Sequence, residues 1–217
     1  MSLLLSAVTS YGSGLEHRKQ HYVDDELTGI ALWGAIPGAM IGVLFVLSTG
    51  TEFKSVFKLL SIVVVGFVIY KMVKRLSHNP FSIEEQGQVE LKKLSAASAF
   101  GGFLSSVMAV GAGMIYVPAM KFFGKLETRK AIGSSLNIMM IVVPFAVLVH
   151  FILLNNYQRE KLFDESILLA ALIVANFSGS KIGAIIGFRL FDENLLVKIF
   201  IGVLSITWIN YVLDLLL

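Results

Sequence analysis

Residues 101–124 read GGFLSSVMAVGAGMIYVPAMKFFG, and this stretch decides how the rest of the chain is understood. It is apolar enough to lie in a membrane, yet Gly111, Gly113 and the Val117-Pro118 pair make one uninterrupted helix costly. A break near the middle of the protein is therefore predicted. Inside a bilayer, backbone groups freed by a break must be buried in protein or line a polar cavity. A helix that starts there turns unpaired N–H groups and the positive end of its dipole toward the cavity, an arrangement that suits an anion. Glycines in membrane helices also let neighbouring helices approach closely, and a proline can simply end a helix, so by residue type alone both readings stand.

On either side the pattern is of apolar blocks separated by short charged patches. The chain has 217 residues, 56% hydrophobic and 15% charged. Crossing a hydrocarbon layer roughly 30 Å thick takes about 20 apolar residues of helix. Stretches of that kind run over 27–48, 55–73, 94–113, 131–154, 166–190 and 195–217. The opening block from Met1 to Leu15, rising only about 22 Å as a helix, reads as part of an element. The expected fold is all-α, a polytopic transmembrane helical bundle of six to seven spans with a broken or re-entrant segment. It forms one domain over 1–217. The polar stretch 76–93, with Pro80, Gly87 and mixed charges, is a linker between 1–75 and 94–217.

The two sides of that linker share a degenerate repeat. Ser2-Leu3 precedes His17 by 15 residues, and Ser135-Leu136 precedes His150 by the same spacing. Each histidine is followed by a polar loop ending in acids, then by a span with glycines four apart, Gly38 and Gly42 against Gly179 and Gly183. Residues 1–75 thus read as a partial first repeat and 94–217 as the second. Transporters are commonly built from such repeats, with the site at their interface. A single crossing by Leu94–Met120 would make the repeats parallel; a re-entrant path would make them inverted.

Composition excludes several function classes. The formal charge of +3 comes from basic residues that sit between apolar blocks, such as Lys71, Lys74 and Arg75, and they read as membrane-flanking anchors, not as a nucleic-acid surface. There is no cysteine, which removes disulfides, thiolate catalysis and sulfur-ligated metals. No metal-spaced His/Glu cluster, HExxH, GxSxG or phosphate loop appears, so neither an enzyme nor a cofactor is expected. Met1 is followed by Ser-Leu-Leu-Leu with no basic region, a poor match to a cleaved signal peptide. Lys and Arg are nearly balanced between alternate loops and leave the orientation open.

Further candidates flank the broken segment. Ser134, Ser135 and Asn137, grouped beside Gly133, supply hydroxyl and amide groups that can hold an oxyanion without a buried charge; they can equally cap or cross-link helices. Lys181, in a span that also carries Asn176, Ser178 and Ser180, is either a counter-charge for an anion or a lysine snorkelling to the interface. His150 is the deeper of two histidines matched to proton relay near neutral pH, and it can also be a packing histidine; His17, beside Glu16, Arg18 and Lys19, reads as interfacial.

The segment GAGMIYVPAMKFFGKLETRKAIGSSL, residues 111–136, resembles the hallmark GxGGGxxxVPxL…A.GTSL of the TauE/SafE (sulfite exporter) family. The front half is similar to the remainder of that family's first repeat: MSLL stands where its Thr-Ser-Leu begins, HRKQHYVDDELTG where its polar loop lies, and AIPGAMIG where its Pro-Gly helix follows. Two departures stand out. The glycine run appears as Gly111, Ala112 and Gly113, and the first repeat's glycine-proline segment is absent, as in a shortened member or one that depends on a partner. The resemblance implies a secondary carrier in the plasma membrane for small anions such as sulfite, sulfonates or related organic acids, driven by an ion gradient. Its substrate-binding residues are expected to be Gly111, Gly113, Pro118, Ser134, Ser135, Asn137 and Lys181, with His150 as a proton relay. The expected partners are a small anionic substrate, the lipid bilayer and, in some arrangements, a second copy. A non-transporting membrane subunit is the rival reading.

Overall fold

A computed structural model describes residues 2–49, 54–78, 88–108, 113–154 and 156–216. Every regular element among them is an α-helix: α1 (Ser2–Lys19), α2 (Asp25–Thr49), α3 (Lys54–His78), α4 (Leu91–Met108), α5 (Gly113–Phe122), α6 (Thr128–Ile152), α7 (Asn156–Asp164), α8 (Ser166–Leu190) and α9 (Glu193–Leu216). Four stretches are long and apolar enough to cross a membrane, namely Asp25–Val46, Thr128–Ile152, Ser166–Leu190 and Asn194–Asp214. The expected spans at 55–73 and 94–113 are helical as α3 and α4, with several side chains of the first and residues 109–112 of the second lying outside the described residues. Helix α4 is not among the four over its described residues, since it opens with Lys92-Lys93 and is rich in serine and glycine. The opening block continues to Lys19, giving α1 about 27 Å of helix. Within the loop expected at 155–165, α7 forms a short polar helix.

The core is built from small residues that let helices approach. Ala31, Ala35, Ala39 and Val43 of α2 pack with Leu94 of α4, Tyr116 and Met120 of α5, and Ala131, Ile138 and Val142 of α6. A methyl on Gly34, Gly38 or Gly42 would fall 2.1, 2.0 or 2.6 Å from the backbone oxygen of Ser95, Ala99 or Phe103. Only glycine lets α2 lie this close to the α4 backbone. Large apolar side chains face outward, as with Trp33, 84% exposed, and Ile167, 86% exposed. An outer surface of this kind belongs in lipid.

Pairings along the bundle fix the helix directions. The α1–α2 turn lies against the start of α6, where the Asp24 N–H donates to Ser134 Oγ at 2.9 Å. At the opposite end, Ser2 and Leu3 line a cavity with His150 near the end of α6, so α1 and α6 run antiparallel. Helix α8 runs alongside α1, with Asn176 beside Thr9 and Phe188 beside His17. Trp208 of α9 donates its indole N–H to the Ile62 carbonyl of α3 at 2.8 Å. A second small core of Val65, Met72, Val197 and Leu204 joins that pair.

Helix α5 does not continue α4. The Glu90 N–H, just before α4, donates to the Phe123 carbonyl, just after α5, at 2.9 Å. A methyl on Gly101 would lie 2.7 Å from the Tyr116 ring. Chain positions 101 and 116 would be about 22 Å apart in one continuous helix. The segment therefore goes in and comes back on the same side, with α5 about 15 Å long against about 27 Å for α4. The chain reverses between α4 and α5, and the part of the expected break that falls on 109–112 lies outside the described residues. Pro118 does not terminate a helix; it lies buried inside α5.

Candidate functional site

Because α5 ends level with the start of α4 and has little more than half as many described residues, its first described residue, Gly113, lies well inside the bundle. A methyl on Gly113 would come 3.6 Å from Met139 Sδ of α6, ordinary contact distance. Met139 is also a wall of a cavity of about 520 Å³ whose other walls are Ser2, Leu5, Ser6 and Thr9 of α1 and Asn176 of α8. Positions 2, 6 and 9 are four and three residues apart, the spacing that gathers side chains on one helix face. The N-terminal end of α5 thus stands behind Met139 at a space lined by hydroxyl and amide groups.

Hydrogen bonding at this cavity is partly satisfied internally. Thr9 Oγ1 donates to its own helix at the Leu5 carbonyl, 2.9 Å away, and lies 3.3 Å from Asn176 Oδ1. Asn176 uses one amide hydrogen on the Leu172 carbonyl at 2.9 Å, and an amide nitrogen carries two. A small anion in the cavity would meet donors of this kind and no carboxylate among the lining residues.

The expected site residues do not converge on this cavity as a set. Gly113 borders it through Met139. Gly111 lies outside the described residues. Ser134 accepts the Asp24 N–H, Ser135 donates to the Ile132 carbonyl at 2.7 Å, and Asn137 Oδ1 accepts from Arg18 at 3.2 Å. All three are buried: Ser134 fastens the start of α6 to the α1–α2 turn, Asn137 fastens it to the end of α1, and Ser135 bonds within α6. Pro118 is packed in the α5 core. Lys181 is half-exposed and lies 3.8 Å from Glu16, which also pairs with Lys19 at 3.0 Å. It joins an ion-pair group near the His17 end and does not line the cavity. His150 lines a second, larger cavity of about 820 Å³ with Ser106, Glu165 and mostly apolar neighbours, and its Nε2 is 3.4 Å from the Ser106 carbonyl. The Ser106 hydroxyl is buried and has no hydrogen-bond partner.

Ser6, Thr9 and Asn176 were not singled out by the sequence as binding residues. Their signal was present in the one-face spacing on α1, but nothing in a linear pattern brings α8 to it. Among the described residues no group of His, Asp and Glu is arranged to hold a metal ion.

A bundle of helices with lipid-facing outer side chains and several membrane-length spans is a multi-pass membrane protein. This chain belongs to the sulfite exporter TauE/SafE family, whose model matches residues 1–211. It is 29% identical over 183 residues to a "Probable membrane transporter protein" of Xylella fastidiosa, a match covering 83% of this chain and 64% of that protein. The chain thus spans less than two thirds of that relative's length. No solved structure matches it.

Proposed function

We propose that the chain forms the carrier core of a secondary transporter for small anions, such as sulfite, sulfonates or related organic acids, in the cell membrane. The observation that carries this reading is the start of α5 inside the bundle, beside a cavity lined by Ser2, Ser6, Thr9 and Asn176. The first N–H groups of a helix have no partner within it, and together with the dipole they attract negative charge. Neutral donors hold an anion without the desolvation cost of a buried cation, so it can also leave. Lys181 and Arg18, at the α1 C-terminal end, would contribute a positive field in one approach to the site, not direct ligation.

Alternating access requires two halves that can rock against each other, and inverted repeats supply them. An inverted reading is supported by helix directions: α1 runs opposite to α6, and the re-entrant path of α4–α5 meets the condition set by the sequence. Ser2 and His17 stand 133 positions before Ser135 and His150. Under that shift Leu3 becomes Leu136 and Gly14 becomes Val147. Gly14 meets Leu136, while Leu3 and Val147 share the larger cavity. Those are the contacts a two-fold axis between α1 and α6 demands. Ser6 and Met139, also related by 133, both line the smaller cavity, which therefore straddles that axis.

The test is flux of sulfite, sulfonate and carboxylate anions into vesicles containing the purified chain, compared with Gly113→Leu at several pH values. A leucine there extends beyond a methyl that already touches Met139, a wall of the cavity. Flux lost with folding retained supports the site; unchanged flux removes it. If His150 relays protons, His150→Gln flattens the pH dependence and leaves anion competition intact.

A second reading, a subunit that transports only with further polypeptide, is favoured by one observation: among the described residues, no atom lies within 4 Å of a methyl added at Gly179, Gly183 or Gly187 of α8.

A further inference from the structure

One end of the bundle gathers most of the Lys and Arg in the chain. Arg129, at the start of α6, ties three turns together there: it donates to the Tyr22 hydroxyl of the α1–α2 turn at 3.2 Å and to the Phe191 carbonyl of the α8–α9 turn at 2.7 Å, and it follows directly on the foot of the α4–α5 hairpin. The end of α3 joins them, with Lys71 Nζ 5.6 Å from the centroid of the Phe122 ring. Arg18 and Lys19 close α1, and Lys71, Lys74 and Arg75 lie in the last turns of α3. Lys92 and Lys93 open α4, while Lys121, Lys125, Arg129 and Lys130 run from the end of α5 into α6. Arg189 and Lys198 flank the α8–α9 turn. At the opposite end stand only Lys54 and Lys58 at the start of α3, and Arg159 and Lys161 of α7, where Arg159 donates to the Ile152 carbonyl at 3.1 Å. Lys181, inside α8, is the one basic residue left between them.

A count by loops misses this asymmetry. If residues 94–120 crossed the membrane once, Lys92 and Lys93 would lie opposite Lys125, Arg129 and Lys130, and the two sides would nearly balance. The return of α5 beside α4 puts both groups on one side. Glu90, at the neck of the hairpin, registers the result: a hydrogen bond from Lys93, with the charges of Lys125 and Lys71, holds its carboxyl below the usual carboxylate range.

We propose that this basic end is the cytoplasmic face of the protein and rests on the anionic phospholipid headgroups of that leaflet. Short loops rich in Lys and Arg are retained in the cytoplasm during insertion, with acids counting for little, and the anionic lipids of the inner leaflet attract the same cations afterwards. The outer surface of α3 is built for that contact. Lys71 Nζ lies 5.3 Å from the Phe67 ring and Lys74 Nζ 6.0 Å from the Tyr70 ring, and both rings are exposed. Each lysine thus lays its stem along apolar surface and carries its charge toward the headgroups. The opposite end, where His150 and Glu165 line the larger cavity, then faces outward. The proposal uses the helix directions and the re-entrant path and takes nothing from the identity of the solute.

The chain has no cysteine, so a single introduced thiol reports on one place. Gln20→Cys puts it in the exposed α1–α2 turn and Asn156→Cys at the exposed start of α7, and neither change removes a charge. In intact bacteria expressing the full chain, a membrane-impermeant maleimide is expected to label Asn156→Cys nearly as fully as after permeabilisation. Gln20→Cys is expected to be labelled at least tenfold less than after permeabilisation. The reverse pattern would overturn the proposal, and so would partial labelling of both thiols, which marks insertion in two orientations. The headgroup contact has its own measurement. Phosphatidylglycerol added to the detergent-solubilised chain is expected to raise the unfolding temperature more than phosphatidylcholine does, and Lys71→Gln with Lys74→Gln to narrow that margin. Equal effects of the two lipids, or a margin that the paired substitution leaves unchanged, would remove the contact. Neither readout is flux, so failure of the anion reading leaves both standing, and the reverse.

Discussion

The N-terminal turns of α1 and α6 begin with similar residues and have opposite fates. Ser134, Ser135 and Asn137 are buried, and their polar atoms are engaged by Asp24, Ile132 and Arg18. Ser2, Ser6 and Thr9 line a cavity. The difference lies in what precedes each helix. The start of α6 is clasped by the α1–α2 turn so closely that a methyl on Gly133 would lie 1.9 Å from the Tyr22 carbonyl. That turn is itself fixed by His21, whose φ of 58° reverses the chain after α1. No such clasp covers Ser6. A polar side chain in a membrane helix is thus a fastener or a cavity wall according to its neighbours, not according to its type.

This contrast can be broken by substitutions at either start. The largest effect is expected at Gly133→Val, which must force α6 away from the Tyr22 carbonyl; overpacking of this severity costs about 3 kcal/mol or more, and thermal unfolding in detergent should show most of the folded population lost. Next comes Asn176→Leu, which fills the cavity from α8: anion flux should drop at least tenfold while the unfolding temperature moves little. A drop in both together would mean Asn176 is a fastener after all. Ser134→Ala should show the reverse pattern, losing about 1 kcal/mol because the partly buried Asp24 N–H is left without its acceptor, with flux per folded molecule unchanged. The smallest change is expected for Thr9→Val, nearly isosteric and without the hydroxyl. A several-fold weaker apparent anion affinity at unaltered stability would sharpen the assignment of α1 to the cavity, and no change would reduce that wall to Ser2 and Ser6.

Much of the fold was legible in the sequence because length and hydropathy act locally. The spans at 131–154 and 166–190 lie within about three residues of the ends of α6 and α8. The discontinuity in residues 101–124 was legible from glycine content, though Pro118 was the wrong marker for it. Proline within the first two turns of a short helix forfeits little, since the carbonyls it would strip are few. Helix α7 was missed because its nine residues are polar and carry no apolar period. The site was less legible than the fold. Gly113 was singled out from glycine and proline content, but whether Ser134 or Ser6 faces the cavity depends on which helix turn packs over it, and tertiary contact of that kind leaves no trace in spacing. Lys181 was read as a counter-charge for an anion or a lysine snorkelling to the interface, because Glu16, its neighbour in space, is 165 positions away.

The hydrogen bond from Glu90 to Phe123 closes the neck of the α4–α5 hairpin and has a consequence for biogenesis. A helix with as many serines and glycines as α4 is a weak partitioner into lipid when it leaves the translocon alone. Its exit is favoured once α2 is waiting beside it and α5 has emerged to complete the loop. Residues 88–123 are therefore expected to enter the bilayer as one late unit, with a nascent chain arrested just after Met108 still exposed to protease and one arrested after Thr128 already protected.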